Sequence, residues 1–340
     1  MNRWLAYALT CALAAALSAW LAPRMRDAAI RFGIVDRPDG KLKQHREPVP
    51  YLGGLGIYLA FLLALAAVEG VVTTLSFKTE VLGLLLAGSI VVILGLVDDL
   101  GQLGPWTKLA GQLVAIWVLI KSGIYIQLIF IPAWVGVVLT VFWMLAVTNA
   151  FNLIDIMDGL SAGTALVAAV VLLIVAELDG GYLSATVLAA LAGACLGFLR
   201  HNFEPARIYM GDTGSMFLGL MLGALAMDNA YTHHSRFGAL APVLILGVPL
   251  FDMLFVMYIR WRRGIPIMVG SPDHVALRLR KWRLSTRQTV LLSYAVTALL
   301  GAAAVGLTLL PQIGALVIVG GVVLLALVAG LWLKRIEMSL

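Results

Sequence analysis

The chain has 340 residues, of which 61% are apolar and 12% charged, with a formal net charge of +6. A soluble domain is closer to half apolar and a quarter charged. A water-soluble globule is therefore excluded, and nucleic acid is excluded as a partner because no soluble basic domain exists to present a groove.

The apolar runs are long enough to cross a bilayer, about 20 residues each, and do not alternate with period two, so the spans are helices rather than barrel strands. In chain order they fall at 4–22, 51–70, 80–97, 106–121, 130–147, 160–178, 183–199, 213–230, 238–259, 289–309 and 312–333. The expected fold class is all-α: a polytopic integral membrane protein of about eleven transmembrane helices, forming one multi-pass membrane domain over 1–340. The first run reads as a retained span. It is long for the apolar stretch of a leader peptide, and only Arg3 precedes it.

Lysine and arginine in the loops set the orientation. With loop 23–50 in the cytoplasm, twenty of the 24 fall on that side, which gives N-out, C-in. The charge of +6 is then a cytoplasmic-face charge suited to anionic headgroups, and part of it suits an anionic substrate. Cys11 and Cys195 both lie within spans and read as packing residues.

The informative polar residues gather on this one face, unlike the mid-membrane residues of a transporter. The first cytoplasmic loop contains KLKQHREPVPYLGG, residues 41–54, where Gly53 and Gly54 allow another backbone or a ligand to come close. LGLVDDLGQLG follows, with Asp98 and Asp99 at the end of span three. A helix C-terminus repels negative charge, so two carboxylates there call for a divalent cation or a basic group. A raised pKa on one of them would make it a general base.

In NAFNLIDIMDGLSAG, Asn149, Asn152, Asp155 and Asp158 are spaced by three. Each step of three turns a helical side chain by about 60°, so a straight helix cannot aim all four at one point. The series should wrap a site at a helix end and unwind near Asp158-Gly159. Its Asn and Asp oxygens are the hard donors Mg²⁺ prefers. RHNFEPARIYMGDTGSMFLG, residues 200–219, sets Asp212 after Gly211 at the start of span eight, where free N–H groups would suit a phosphate. The largest loop, RWRRGIPIMVGSPDHVALRLRKWRLSTR, holds His274 with Arg278 and Arg280 close behind, and a guanidinium fork suits a pyrophosphate.

KLKQHREPVPYLGG, LGLVDDLG, TNAFNLIDIMDGL and NFEPARIYMGDTGS, in that order and on one face, resemble the polyprenyl-phosphate N-acetylhexosamine-1-phosphate transferases, the WecA/TagO/MraY-type superfamily. The resemblance covers about residues 31–288. It implies that a UDP-activated amino sugar gives its sugar-1-phosphate to undecaprenyl phosphate, releasing UMP, in a bacterial inner (plasma) membrane with the catalytic loops cytoplasmic. It implies Mg²⁺, with Mn²⁺ as the alternative, and leaves a homodimer open.

By the same resemblance, Asp98 or Asp99 deprotonates or positions the lipid phosphate, and Asp212 and Asn152 hold the metal. Asn149, Asp155, Asp158, Asn202 and Gly211 line the donor pocket, and Lys43 and His45 are first-loop contacts. There is one departure. Members of the WecA kind usually carry an HIHH-like motif in the last loop and the MraY kind a run of histidines, whereas this chain reads SPDHVALRLR. His274 fits the first histidine, Ala276 and Leu277 replace later ones, and Arg278 and Arg280 are expected to take the pyrophosphate. This leaves the sugar open and argues against a muramyl-pentapeptide donor. The rivals are an intramembrane UbiA-type prenyltransferase, which NLIDIMD fits only in part and with no second such motif, a transporter or channel, and an inactive lipid-linked-sugar binder.

Overall fold

A computed structural model describes residues 3–36, 49–72, 78–101, 103–128, 130–228, 231–232, 234–266 and 271–338. The chain divides into two compact units, Met1–Asn229 and Ala230–Leu340.

The first unit holds α1 (Arg3–Phe32), α2 (Gly53–Val72), α3 (Thr79–Gly101), α4 (Pro105–Lys121), α5 (Ala133–Leu153), α6 (Leu160–Leu178), α7 (Tyr182–Asn202) and α8 (Gly211–Leu225). Strands β1 (Val35–Asp36) and β2 (Val49–Pro50) pair antiparallel across the base of the first loop. At its centre lies α8, packed by α2, α3, α5 and α6. Every residue of α8 is buried except Asp212.

Glycines allow this close approach. A Cβ on Gly54 would stand 2.1 Å from the Gly214 nitrogen, and one on Gly95 2.5 Å from the Thr213 Cα. The approach expected at Gly54 is thus made by a backbone. The α2 N-terminus is closed the same way, with Gly53 and Gly54 N–H donating to the Tyr209 and Met210 carbonyls at 3.0 and 2.9 Å. That satisfies donors every helix start leaves open and ties α2 to the segment entering α8.

The second unit contains a 3-10 turn (Arg236–Leu240), α9 (Ala241–Ile245), α10 (Gly247–Arg262), α11 (Val275–Lys281), α12 (Thr286–Leu309) and α13 (Gln312–Lys334). The predicted ninth span is broken. The segments Arg236–Ile245 and Gly247–Arg262 bend by 78°, with Pro242 and Pro249 on either side of the break. Only 6% of the most apolar window of α13 is buried by protein, so its surface suits lipid.

Among the described residues, seven helices are long and apolar enough to cross a membrane, or eight with the bent pair as one span. The chain is an all-α polytopic membrane protein. The other predicted spans coincide with shorter helices: α2, apolar over Gly53–Val68, α4 at 17 residues and α8 at 15. The first predicted span stops at 22, but α1 runs on through Pro23 to Phe32.

Candidate active site

The site grows from the start of α8. Gly211 holds a left-handed φ of +69°, and an added Cβ there would meet the Asp99 carboxylate at 2.5 Å. The glycine thus lets Asp99 reach the helix end. Asp99 Oδ1 accepts the Asp212 N–H at 2.8 Å, and Oδ2 accepts the Thr213 N–H at 3.1 Å and its hydroxyl at 2.6 Å. These amides were expected to be free for a phosphate. The chain fills that place with its own carboxylate, which neutralises the helix N-terminus.

Asp98 turns the other way. The next helix, α4, starts at Pro105 and brings Lys108 alongside. Lys108 Nζ donates to Asp98 Oδ2 at 2.8 Å and also to Asp212 Oδ2. The Leu103 N–H donates to Asp98 Oδ1. A single ammonium therefore joins two carboxylates from α3 and α8.

The wall opposite is the predicted Asn/Asp series. The helix α5 ends at Leu153, so unwinding starts at Ile154 rather than near Asp158. Asn149 stays on the helix and pairs with Gln112, its Nδ2 donating to Oε1 at 2.9 Å. Asn152 Nδ2 donates to Asp212 Oδ1 at 2.9 Å and to Ser215 Oγ at 3.0 Å. Asp158 Oδ2 accepts the Ala206 N–H at 2.8 Å. Asn202 takes the Gly159 N–H at 3.0 Å and donates to the Ile208 carbonyl at 3.0 Å. Segment 203–210 is thereby sewn to the α5–α6 turn.

Asp155 lies in that turn, outside the helices, and is partly exposed. Burial, then the charges of Asp212, Asp99 and Asp158, push its carboxyl well above the usual value. The folded state therefore binds this proton more tightly than the unfolded chain. Its contribution to stability is full below the unfolded value of about 3.9 and is lost as pH rises through the raised folded value. Asp155→Asn should flatten that slope. Thermal unfolding of the purified protein from about pH 4 to 8 checks it, and an unchanged slope would contradict it. Tyr51 and Tyr209 border the same charges. Burial and a hydrogen bond with Asp36 raise Tyr51, and burial followed by Asp158, Asp36 and Asp155 raises Tyr209.

Among the described residues no three His, Cys, Asp or Glu side chains form a cluster that could hold a metal ion. Asp212 offers a single carboxylate, its Oδ1 taking the Asn152 amide and its Oδ2 the Lys108 ammonium. Mg²⁺ keeps its waters, needs only one or two carboxylates and shares a substrate's phosphates.

The second unit carries the last-loop residues. Asp252 Oδ2 meets His274 Nδ1 at 2.7 Å, and its Oδ1 accepts the Val275 N–H at 2.6 Å. Arg278 is 1% exposed. It donates to Asp273 Oδ1 at 2.8 Å, to the Asp273 carbonyl at 3.1 Å and to the carbonyls of Leu333 and Ile336. Its guanidinium thus fastens α11 to the end of α13, while Arg280 is exposed. Arg278→Ala would leave the fully buried Asp273 to Arg263, whose Nη1 stands 3.0 Å from Oδ1, and undo the ties to the end of α13, and should cost about 2–3 kcal/mol. Thermal unfolding should show an early transition, with protease cuts appearing in 271–338. An unshifted transition would sink the prediction.

The structure thus gathers Asp98, Asp99, Asn149, Asn152, Asp155, Asp158, Asn202, Gly211 and Asp212 in the first unit and places His274, Arg278 and Arg280 in the second. Lys43 and His45 lie outside the described residues. Sequence reading counted Lys108 only as a loop cation and passed over Tyr51, Tyr209 and Asp252. A lone acid inside the apolar VPLFDMLFV was the signal for Asp252.

Comparison with known proteins bears on this arrangement. Residues 81–230 match the family described as glycosyl transferase family 4. A Bacillus subtilis protein described as "Probable undecaprenyl-phosphate N-acetylglucosaminyl 1-phosphate transferase" is 32% identical over 284 residues, covering 81% of this chain and 78% of the relative. The chain belongs to glycosyl transferase family 4. The family 4 chain is also 35% identical over 303 residues to a decaprenyl-phosphate N-acetylglucosaminephosphotransferase of Mycolicibacterium smegmatis, covering 79% of this chain and 74% of the relative. A phospho-N-acetylmuramoyl-pentapeptide-transferase of Heliobacterium modesticaldum is 33% identical over 248 residues, covering 65% and 73%.

Proposed function

We propose that this membrane enzyme transfers N-acetylhexosamine-1-phosphate from a UDP-sugar to undecaprenyl or a related polyprenyl phosphate, releasing UMP. The observation that carries the reading is the Lys108 ammonium held between Asp98 and Asp212 beside the Asp99-capped start of α8. Phosphoryl transfer is catalysed chiefly by positioning and by charge aimed at the phosphates, and this cluster supplies both. An acceptor phosphate oxygen attacks the donor's β-phosphorus, and the bond to the UMP oxygen breaks.

A phosphate monoester has its second pKa near about 6, so the acceptor is mostly dianionic at neutral pH and needs no strong base. Asp98 therefore acts by holding Lys108 for the acceptor phosphate, and Asp99 by fixing Asp212. Asp212 with Asn152 would hold Mg²⁺, which when bound offsets phosphate charge. Asp155, Asp158, Asn202 and Asn149 form or brace the donor wall. The resemblance adds Lys43, His45, His274 and Arg280, whereas the Arg278 guanidinium is taken up by Asp273 and the end of α13. UDP-N-acetylglucosamine is the donor to try first, because the Bacillus and Mycolicibacterium relatives are named for N-acetylglucosamine.

The finer topology belongs to the same proposal: eleven crossings, N-out and C-in, in a bacterial inner membrane with the catalytic loops cytoplasmic. It is supported by the lysine and arginine bias of the loops. A homodimer fits the reading but no residue here argues for it. The test is UMP release by purified protein with undecaprenyl phosphate, Mg²⁺ and a panel of UDP-sugars, beside Asp212→Asn. Release with one donor, dependent on lipid and lost in the variant, is expected. No release with any donor, from protein shown to be folded, would reject the proposal.

A further inference from the structure

Gly193, Gly197 and His201 lie four apart on α7 and meet α1 in register. A Cβ on Gly193 would stand 2.1 Å from the Cys11 carbonyl oxygen, and one on Gly197 2.1 Å from that of Ala15. His201 Nε2 reaches the next carbonyl in this row, Ala19, at 3.1 Å. Pro23, four residues on, has no N–H to give that carbonyl. The imidazole supplies the missing donor, so Nε2 carries the hydrogen.

A cavity of about 330 Å³ is lined by Ala22, Pro23, Arg26, His201, Arg207 and Ile208. Its floor is apolar and its rim carries two exposed guanidiniums, with no carboxylate among the described lining residues. Arg26 also lies 3.5 Å from the exposed Asp27.

Depth points to the ligand. With 30 residues, α1 is about 45 Å long, against about 30 Å of hydrocarbon. Half-exposed Trp20, with the Arg24 guanidinium 3.5 Å from its ring centroid, has the character of a membrane–water boundary residue. Pro23 and Arg26 come in the next two turns, at headgroup level. We propose that this cavity binds the phosphate of an anionic glycerophospholipid such as phosphatidylglycerol, at a site separate from both substrates. Arg207 and Ile208 sit on segment 203–210, which also holds Asp158 through the Ala206 N–H and Asn202 through the Ile208 carbonyl. An occupied cavity would brace that segment.

Native mass spectrometry of the full chain, which needs no turnover, tests this apart from the transferase reading. One phosphatidylglycerol should be retained per chain, in preference to phosphatidylcholine. Arg26→Gln/Arg207→Gln should weaken retention about 30-fold, two cations' worth at an anionic surface, while Arg24→Gln/Arg31→Gln keeps it. A headgroup diazirine on the lipid should cross-link peptides containing Arg26 and Arg207. Equal retention in both double variants, no preference over phosphatidylcholine, or cross-links only elsewhere would overturn the proposal. So would displacement by glycerol 3-phosphate, which would make the ligand a soluble phosphate, or by undecaprenyl phosphate, which would make the site the acceptor's.

Discussion

Replacing Lys108 by methionine is expected to lower kcat/KM for UMP release by about two to three orders of magnitude. The ammonium is the positive partner of both Asp98 and Asp212, with side chains 21%, 13% and 27% exposed. Without it, two partly desolvated carboxylates from different helices face each other and an incoming phosphate with no protein cation between them. Methionine preserves the length and apolar stem of lysine, so the loss would report charge rather than packing. Lys108→Arg should recover only part of the rate, because a planar fork cannot replace a compact charge between two oxygens. Turnover within a few-fold of wild type in Lys108→Met would remove Lys108 from the mechanism.

The adjacent carboxylates should separate by kind of failure. Asp99 receives three hydrogen bonds at the start of the most buried helix of the first unit. Asp99→Asn puts an amide N–H₂ against donors and removes the charge facing the helix N-terminus. A stability loss of about 2–4 kcal/mol follows, seen as a drop of several degrees in thermal unfolding that accompanies lost activity. Asp98 meets Lys108 and the Leu103 N–H at the cleft edge. Asp98→Asn should leave the unfolding midpoint nearly unchanged and lower turnover about 100-fold by leaving Lys108 to Asp212 alone. The reverse pattern, a stable Asp99→Asn and an unstable Asp98→Asn, would contradict these roles.

Local pattern made much of this readable. Apolar runs marked the helices, and the spacing of Asn149, Asn152, Asp155 and Asp158 foretold a series that wraps rather than lines a helix. The partner of Asp99 was out of reach because it lies 113 residues away and is chiefly backbone. Lys108 was hidden among loop cations, since nothing local says that α4 brings it alongside Asp98. Arg278 had the composition of a phosphate fork, yet Asp273, five residues earlier, and two carbonyls at the end of α13 take its donors. The break in the ninth span depends on how α10 packs, and Pro249 alone does not specify a 78° bend.

The most direct test of the central claim follows the phosphorus. Purified protein would be incubated with undecaprenyl phosphate and UDP-N-acetylglucosamine carrying a radioactive β-phosphate, and the organic and aqueous phases counted. Sugar-1-phosphate transfer predicts the label in the lipid phase, in step with unlabelled UMP in water. Label remaining in UDP while sugar reaches the lipid, or no label moving from folded protein, would contradict the account.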